Sequence, residues 1–598
     1  MNRIPVALAV SIAGLCCAVA GCSTRTDVSV TGNTPAQYSH VWITAQEVWF
    51  NTSAIAGPDD GGWVRFPLST AVTVDLVAES GGNLGSLFTG LKLAPGTYSQ
   101  VRLIPVDATA ALTSSAHTAG ALYNTEADYV DSAGATHQLP LELLNPDKGI
   151  GILGTLKVPV GNVGAALAGT STNTTGTTIA ATTSNTTTPT TTPTATPTTT
   201  TTTTSFAITF DGARDLTPFT YAAAAAPNGI LLSSHASAFD LSEVGGIQGQ
   251  LTLTNLTGIS STAGLPAIEV SAQSLSVDGT RHVVVNRTPV RADGSFLLYP
   301  LATSSSTPAE YDLVIHGPGI ATIIIKTVQV TLASHASTAT TTTTSTEAAA
   351  NATTINPVSV GTVIPRAATA YTANPAPASG AALPAGAQVA FYQTLATAGE
   401  VPYVIEASPI DPFNQVLASA QALSRGTIDS GTYSSSGASV TLVGAAPAEG
   451  AGGYLVAASA PSFTDGTLTT TVSAPSVGTT TPVAVTVPAL TLAPGVTSGS
   501  ISTSVTQATA GKYDHGELLV THNGALVATT PVDAALVQGA GATITVNGLP
   551  AGTSAALYYV AVRAWNSRDA TGTLQRQSYP TAIDLRGSAT GAVQVTIN

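Results

Sequence analysis

The chain has almost no sulfur chemistry to offer. Its three cysteines all lie within the first 22 residues and Met1 is its sole methionine. A disulfide framework is therefore excluded for everything after Cys22, and stability has to come from packing. Charge is scarce as well, at 9% of residues against about 25% in ordinary soluble proteins. The 19 Lys and Arg against 33 Asp and Glu leave a formal charge of −14 with no basic cluster, so a nucleic-acid phosphate backbone would be repelled. Beyond the N-terminus no apolar run approaches the roughly 20 residues a spanning helix needs, which excludes a multi-pass helical membrane protein. Signatures of chemistry are missing too: there is no His-Glu-x-x-His, no G-x-S-x-G elbow and no phosphate-binding glycine loop. Hence no catalytic residue, no metal ligand and no cofactor is assigned.

The first 21 residues have the layout of an export signal, with Arg3 as a positive start, an apolar stretch from Ile4 to Ala20 and small residues before a cleavage point. Val19-Ala20-Gly21-Cys22 resembles the lipobox of bacterial lipoprotein precursors, which implies a lipidated Cys22 after cleavage. Two or three acyl chains of the palmitate type anchor a protein stably where one does not. The alternative reading is an ordinary cleavage site at Ala18-Val19-Ala20 that leaves Cys22 as a free thiol. Ser23, in place of the aspartate that favours inner-membrane retention, implies the cell outer membrane, with the periplasmic or surface face left open. The membrane is thus the expected partner, with an envelope protein or glycan as the further candidates.

What the chain does have is alternation. Apolar residues recur with a period of two over short runs bounded by Gly and Pro, and Asp-Gly or Asn-Gly pairs at Asp60, Asp211, Asn228, Asp278, Asp293, Asp465, Asn523 and Asn547 read as tight turns. The expected fold class is all-β, as several antiparallel β-sandwich modules of immunoglobulin-like or transthyretin-like kind, strung together and joined by disordered Thr-rich tracts. Asp411–Ser424 is the best short helix candidate. Ala168–Ser205, dense in Thr and Pro, cannot bury enough apolar surface to order itself, and a flexible tract of that length spans roughly 35 Å. It is either a neutral spacer or an O-glycosylation platform.

Tyr38–Val48, Val74-Asp75-Leu76, Leu93–Leu103, Phe210–Arg214 and Ile230-Leu231-Leu232 resemble the bacterial lipoprotein family named domain of unknown function 4382. The Thr tract then reads as an insertion between two of that domain's strands, its ends held close by the sheet. Leu93-Ala94-Pro95-Gly96 is expected to be a type II turn launching a strand. Gly246–Leu253, Val290–Leu298 and Tyr311–Ile315 resemble carboxypeptidase-regulatory-like and transthyretin-like sandwiches, which implies a structural or adhesive module. The expected division is a signal at 1–21, a lipidated tether at 22–27 and the family-like domain at 28–245. A sandwich at 246–333, a Thr/Ala-rich linker at 334–387 and sandwiches at 388–495 and 496–598 follow.

Three of the four tryptophans, Trp42, Trp49 and Trp63, fall within 22 residues and form a candidate ligand surface, as sugar platform or interface hot spot, or else belong to the core. Asp59-Asp60-Gly61-Gly62 reads as a calcium loop or simply a turn, and His515 and His522 with Asp514 converge across a hairpin or lie in surface turns. The function expected is a non-enzymatic, lipid-anchored envelope protein of structural, binding or adhesive role. The alternatives are a carbohydrate-binding module and an envelope hydrolase whose site assembles only in three dimensions.

Overall fold

The computed structural model describes residues 24–35, 37–130, 135–159, 203–220, 227–233, 235–252, 255–256, 268–304, 306–317, 320–332, 352–359, 362–363, 371–373, 387–411, 416–417, 425–434, 440–450, 453–460, 463–464, 466–473, 485–487, 490, 492–494, 497–537, 541–553, 556–568 and 575–598. Cys22 and the bulk of both Thr-rich tracts lie outside these residues.

The first domain is one open 12-stranded sheet whose inner residues share one main core. Its strands are β1 Thr24–Asn33, β2 Tyr38–Asn51, β3 Val64–Asp75, β4 Gly85–Leu93, β5 Gly96–Pro105, β6 Glu126–Val130, β7 Thr136–Glu142, β8 Ile150–Val158, β9 Thr203–Asp211, β10 Leu216–Phe219, β11 Gly229–Leu232 and β12 Ser237–Asp240. Alternation decides which faces are buried. In β1, Thr24, Thr26, Val28 and Val30 point inward while Arg25 is exposed. In β2, Val41, Ile43 and Ala45 enter the core, a bulge between Ala45 and Glu47 shifts the phase, and Val48 and Phe50 take over. The bulge keeps both halves of a 14-residue strand facing one core.

The Thr-rich insertion enters and leaves beside the start of β1. Thr24 Oγ1 donates to the carbonyl of Pro159 at 2.7 Å, and Thr203 pairs in parallel register with Arg25. Residues 24–27, expected to be tether, are strand. Gly96 has a φ of +154°, so the Leu93–Gly96 turn depends on glycine but departs from the type II geometry that was expected.

The second unit packs a three-stranded sheet, Ser295–Ala302, Val244–Thr252 and Thr353–Ser359, against a six-stranded one. Two pairings cross the sequence-drawn boundaries. Thr353–Ser359, placed in the linker, pairs in parallel with Val244–Thr252, and Arg425–Thr432, placed in the third module, pairs in parallel with Ala321–Val330. The third unit centres on Gln388–Gln393, Tyr403–Asp411 and Gly453–Ser459. The expected helix at Asp411–Ser424 is not seen where the chain is described, since Val416–Leu417 pairs antiparallel with Ile410 and Asp411. The fourth unit joins Ser498–Gln507, Ala542–Pro550 and Thr590–Ile597 to a sheet built on His515–His522 and Leu557–Trp565.

Of the Gly-containing turns, Asp278-Gly279 and Asn523-Gly524 close hairpins directly, the latter with φ of +49° and +87° as a type I′ turn requires. Asp211 instead caps the short helix α1 Gly212–Asp215 through its side chain, and Asn547-Gly548 lies inside a strand.

The modules are not a simple string, because the fourth returns to the first. Leu144, Phe219 and Leu231 of the first domain pack with Leu519, Leu526 and Ala561 of the fourth. Asn145 Nδ2 donates to Thr521 Oγ1 at 2.7 Å and the Gly151 amide donates to the Asn523 carbonyl at 3.3 Å. Arg563, fully buried, lies 2.7 Å from Glu517 and 3.4 Å from Glu142, with its guanidinium over Phe219. The third unit also touches the first, since Asp411 accepts from the Thr220 amide at 3.1 Å.

Candidate functional site

The bulge in β2 sends Trp42 and Trp49 to the outer side of the sheet, opposite Val48 and Phe50, but it does not bring the three tryptophans together. Trp42 is 7% exposed, stacked on His40 at 4.5 Å and covered by Ala116 and Ala121. Trp49, seven residues along the strand and therefore about 20 Å away, is 5% exposed. It meets Trp63 at 5.8 Å, carries the Arg65 guanidinium on its face at 3.9 Å, and donates its indole N–H to Glu47 at 2.6 Å. Only Trp63 is part-exposed, its N–H donating to the Gly57 carbonyl at 2.8 Å. The surface available to a ligand is thus Trp63 with Arg65.

This ledge continues into the contact with the fourth unit. Arg102 lies 5.4 Å from the Trp63 ring centre and donates to the Lys148 carbonyl at 2.8 Å and to Asn523 at 3.3 Å. Burial lowers its pKa to about 10. Asp59 accepts from Lys148 at 2.7 Å and from the Tyr559 hydroxyl at 2.5 Å. Burial opposes ionisation there, yet those two hydrogen bonds prevail and hold the Asp59 carboxyl below its ordinary value. Asp60 accepts from the Gly57 amide and lies 3.7 Å from Arg586. The Asp59-Asp60 turn therefore joins two modules, and among the described residues no group of three or more His, Cys, Asp or Glu is placed to hold a metal. His515 and His522 sit at opposite ends of one strand. The former pairs with Asp533 at 3.1 Å, and the latter, its pKa lowered by burial, bonds to the Leu557 carbonyl.

A second constellation, not singled out from sequence, lies where the first three units meet. A cavity of about 150 Å³ is lined by Arg214, His235, His282, Arg287, Gln388 and Tyr392 among others. Arg287, 4% exposed, lies 3.2 Å from both Asp211 and Glu269. Burial alone would weaken its charge, but the two carboxylates hold its pKa above the ordinary value. His316 bridges Glu269 at 3.3 Å and Glu406 at 3.5 Å. Burial pushes Glu406 up to about 7, whereas Arg287 and His316 outweigh burial at Glu269 and lower it. His235 is backed by Asp215 at 3.3 Å and His282 by Asp312 at 3.4 Å. Both nitrogens of His282 are occupied, the other facing the Pro402 carbonyl, and its ring stacks on Tyr403 at 3.8 Å. Two aspartates thus back histidines that line the cavity, and the ion pairs of Arg287 and His316 tie segments of the three units together. No local signal marks them, because their members are scattered from Asp211 to Glu406.

Residues 23–218 match the model of the family described as Domain of unknown function (DUF4382). That is about a third of the chain. The match ends within β10, while the sheet continues through β11 and β12. No curated protein matches the chain. Among solved structures, the Bacillus anthracis TIE protein is 7% identical, with 97% of this chain and 74% of that one covered and a TM-score of 0.14. The shaft pilin SpaA of Lactobacillus rhamnosus GG is 13% identical, covering 38% of this chain and 96% of its own, at a TM-score of 0.17. The Corynebacterium diphtheriae major pilin SpaA is 12% identical over 59% of this chain and all of its own, at 0.13. These scores are too low to carry an argument about fold or function.

Proposed function

We propose that this is a lipid-anchored protein of the bacterial outer membrane, held through Cys22, whose modules present a structural or binding surface and perform no chemistry. The observation that carries the reading is the position of β1. The apolar leader ends at Val19-Ala20-Gly21-Cys22, and Thr24, two residues on, is already a buried sheet residue. A processed chain beginning at Cys22 would keep all twelve described strands of the first domain, the first of which starts two residues on. The inter-module ion pairs fit a rigid presenting device, because they spend the chain's few charges on joints.

Feeding radiolabelled fatty acid to cells expressing wild type and Cys22→Ala tests anchorage. Label in the first and none in the second is expected. A mature chain that starts at Gly21 with a free thiol sinks the proposal. Protease treatment of intact cells then separates the surface face from the periplasmic one.

The second reading is carbohydrate binding, favoured by the part-exposed Trp63 beside Arg65. It predicts that glycan retention falls in Trp63→Ala and survives in Trp42→Ala, whose ring is covered. Equal retention in both variants removes it.

A further inference from the structure

The sheet of the third unit leaves room on its outer face. In the strand Gln388–Gln393, Val389 and Phe391 enter that unit's own core, so alternation turns Gln388, Ala390 and Tyr392 the other way. Ala390 is the direct cross-strand partner of Ala407 on one side and of Ala457 on the other. Methyl groups side by side on neighbouring strands form a shallow floor where larger side chains would fill the space. The strand His282–Pro289 of the second unit, with Arg214 and His235 of the first, walls in the cavity of about 150 Å³ above it. A cavity of that size holds a ligand of about six non-hydrogen atoms.

The charged side chains described as lining the cavity are Arg214, His235, His282 and Arg287, with no carboxylate among them. Three of these already have partners behind the wall. Arg287 is held by Asp211 and Glu269, His235 by Asp215, and His282 by Asp312 and the Pro402 carbonyl. Arg214 is different, because among the described residues it has no ion pair and its Nε is buried without a hydrogen bond. Asp211 feels its charge from farther off, but that carboxylate is engaged by Arg287.

Two acceptors complete the lining. Gln388 is 7% exposed, and its Oε1 is buried with no hydrogen-bond partner. Buried polar atoms are rarely left so. The His235 ring turns Nδ1 to Asp215, and a neutral imidazole that donates from Nδ1 presents Nε2 as an acceptor. One unmatched guanidinium calls for one carboxylate, which it can grip through two parallel hydrogen bonds. Two acceptors call for hydroxyl groups, since an ammonium would be repelled by a lining whose charged residues are all basic.

We propose that this cavity is a binding site for a small hydroxycarboxylate, with its carboxylate on Arg214, its hydroxyl groups on Gln388 and His235, and its carbon skeleton over the alanine floor. The site exists only where the three units meet, so a bound ligand also locks them together.

Isothermal titration calorimetry of the full chain at neutral pH, with glycerate, lactate, propionate and lactamide, tests the proposal. Glycerate and lactate are expected to bind at about millimolar strength or tighter. Propionate, which leaves both acceptors unpaired, should bind at least about fivefold more weakly, and so should the uncharged lactamide. Arg214→Met, which removes no hydrogen bond from the fold, should weaken the hydroxy acids by about tenfold or more. Ala390→Leu, which fills the floor, should abolish binding, and Lys512→Gln in the fourth unit should leave it unchanged. Thermal unfolding of each variant without ligand shows that it is folded, and Arg214→Met decides the matter if Ala390→Leu is not. The proposal is overturned if neither hydroxy acid binds wild type up to about 10 mM, so that the cavity holds water alone. It is equally overturned if propionate or lactamide matches them, or if Arg214→Met binds as wild type does.

Discussion

Replacing Arg563 by methionine probes the joint between the first and fourth units. Its side chain is fully buried, bonded to Glu517 through Nε and Nη2 at 3.1 and 2.7 Å, and 3.4 Å from Glu142. Methionine keeps most of the contact with Phe219 but leaves the largely buried Glu517 with no counter-charge and Glu142 with only the more distant Arg576. Breaking a buried pair in this way costs about 3–5 kcal/mol. For a unit of this size that lowers the melting temperature by at least about 10 °C. Burial already raises the pKa of Glu142 and of Glu517, with Arg563 opposing it, so the variant raises both further. A carboxyl whose folded pKa exceeds its unfolded value binds its proton more tightly when folded, so stability falls as pH rises between the two values. The gap between wild type and Arg563→Met should therefore narrow as the solution is acidified, and adding Glu142→Gln and Glu517→Gln should recover much of it at neutral pH. Thermal unfolding of the full chain at several pH values reads all three effects. A variant within about 1 kcal/mol of wild type at pH 7 would refute the claim that this joint is a desolvated ionic contact.

Glu406, pushed up to about 7 by burial, should make the junction of the second and third units lose stability as pH rises from its ordinary value of 4.5 through 7. Glu406→Gln should flatten that dependence in unfolding measured across the window. Asn523 holds a positive φ and accepts from Arg102, so Asn523→Ala should cost about 1–3 kcal/mol, read by denaturant titration, whereas Asn523→Gly should cost less. Phe50→Ala, at the centre of the first core and against Phe66, Tyr98 and Phe206, should destabilise by about 3–5 kcal/mol, seen as a shift in the urea midpoint.

Sequence alone settled the class of this protein, because a period of two is a property of neighbouring residues: Val101 and Leu103 of β5 announce their shared face without reference to anything distant. The insertion of the Thr tract between two strands followed from the family resemblance, and strand β9 starts at Thr203, inside the expected tract. The tryptophans show the limit of such reading. Their closeness in sequence suggested one platform, yet a single bulge and seven residues of extended strand separate Trp42 from the Trp49–Trp63 pair. The return of the fourth unit onto the first, the parallel pairings that carry Thr353–Ser359 and Arg425–Thr432 into the second unit, and the ionic joints at Arg287 and Arg563 were decided by tertiary structure. Most of these contacts unite residues from about 75 to 500 positions apart, and the desolvation that gives a buried charge its energy exists only once the modules have closed around it.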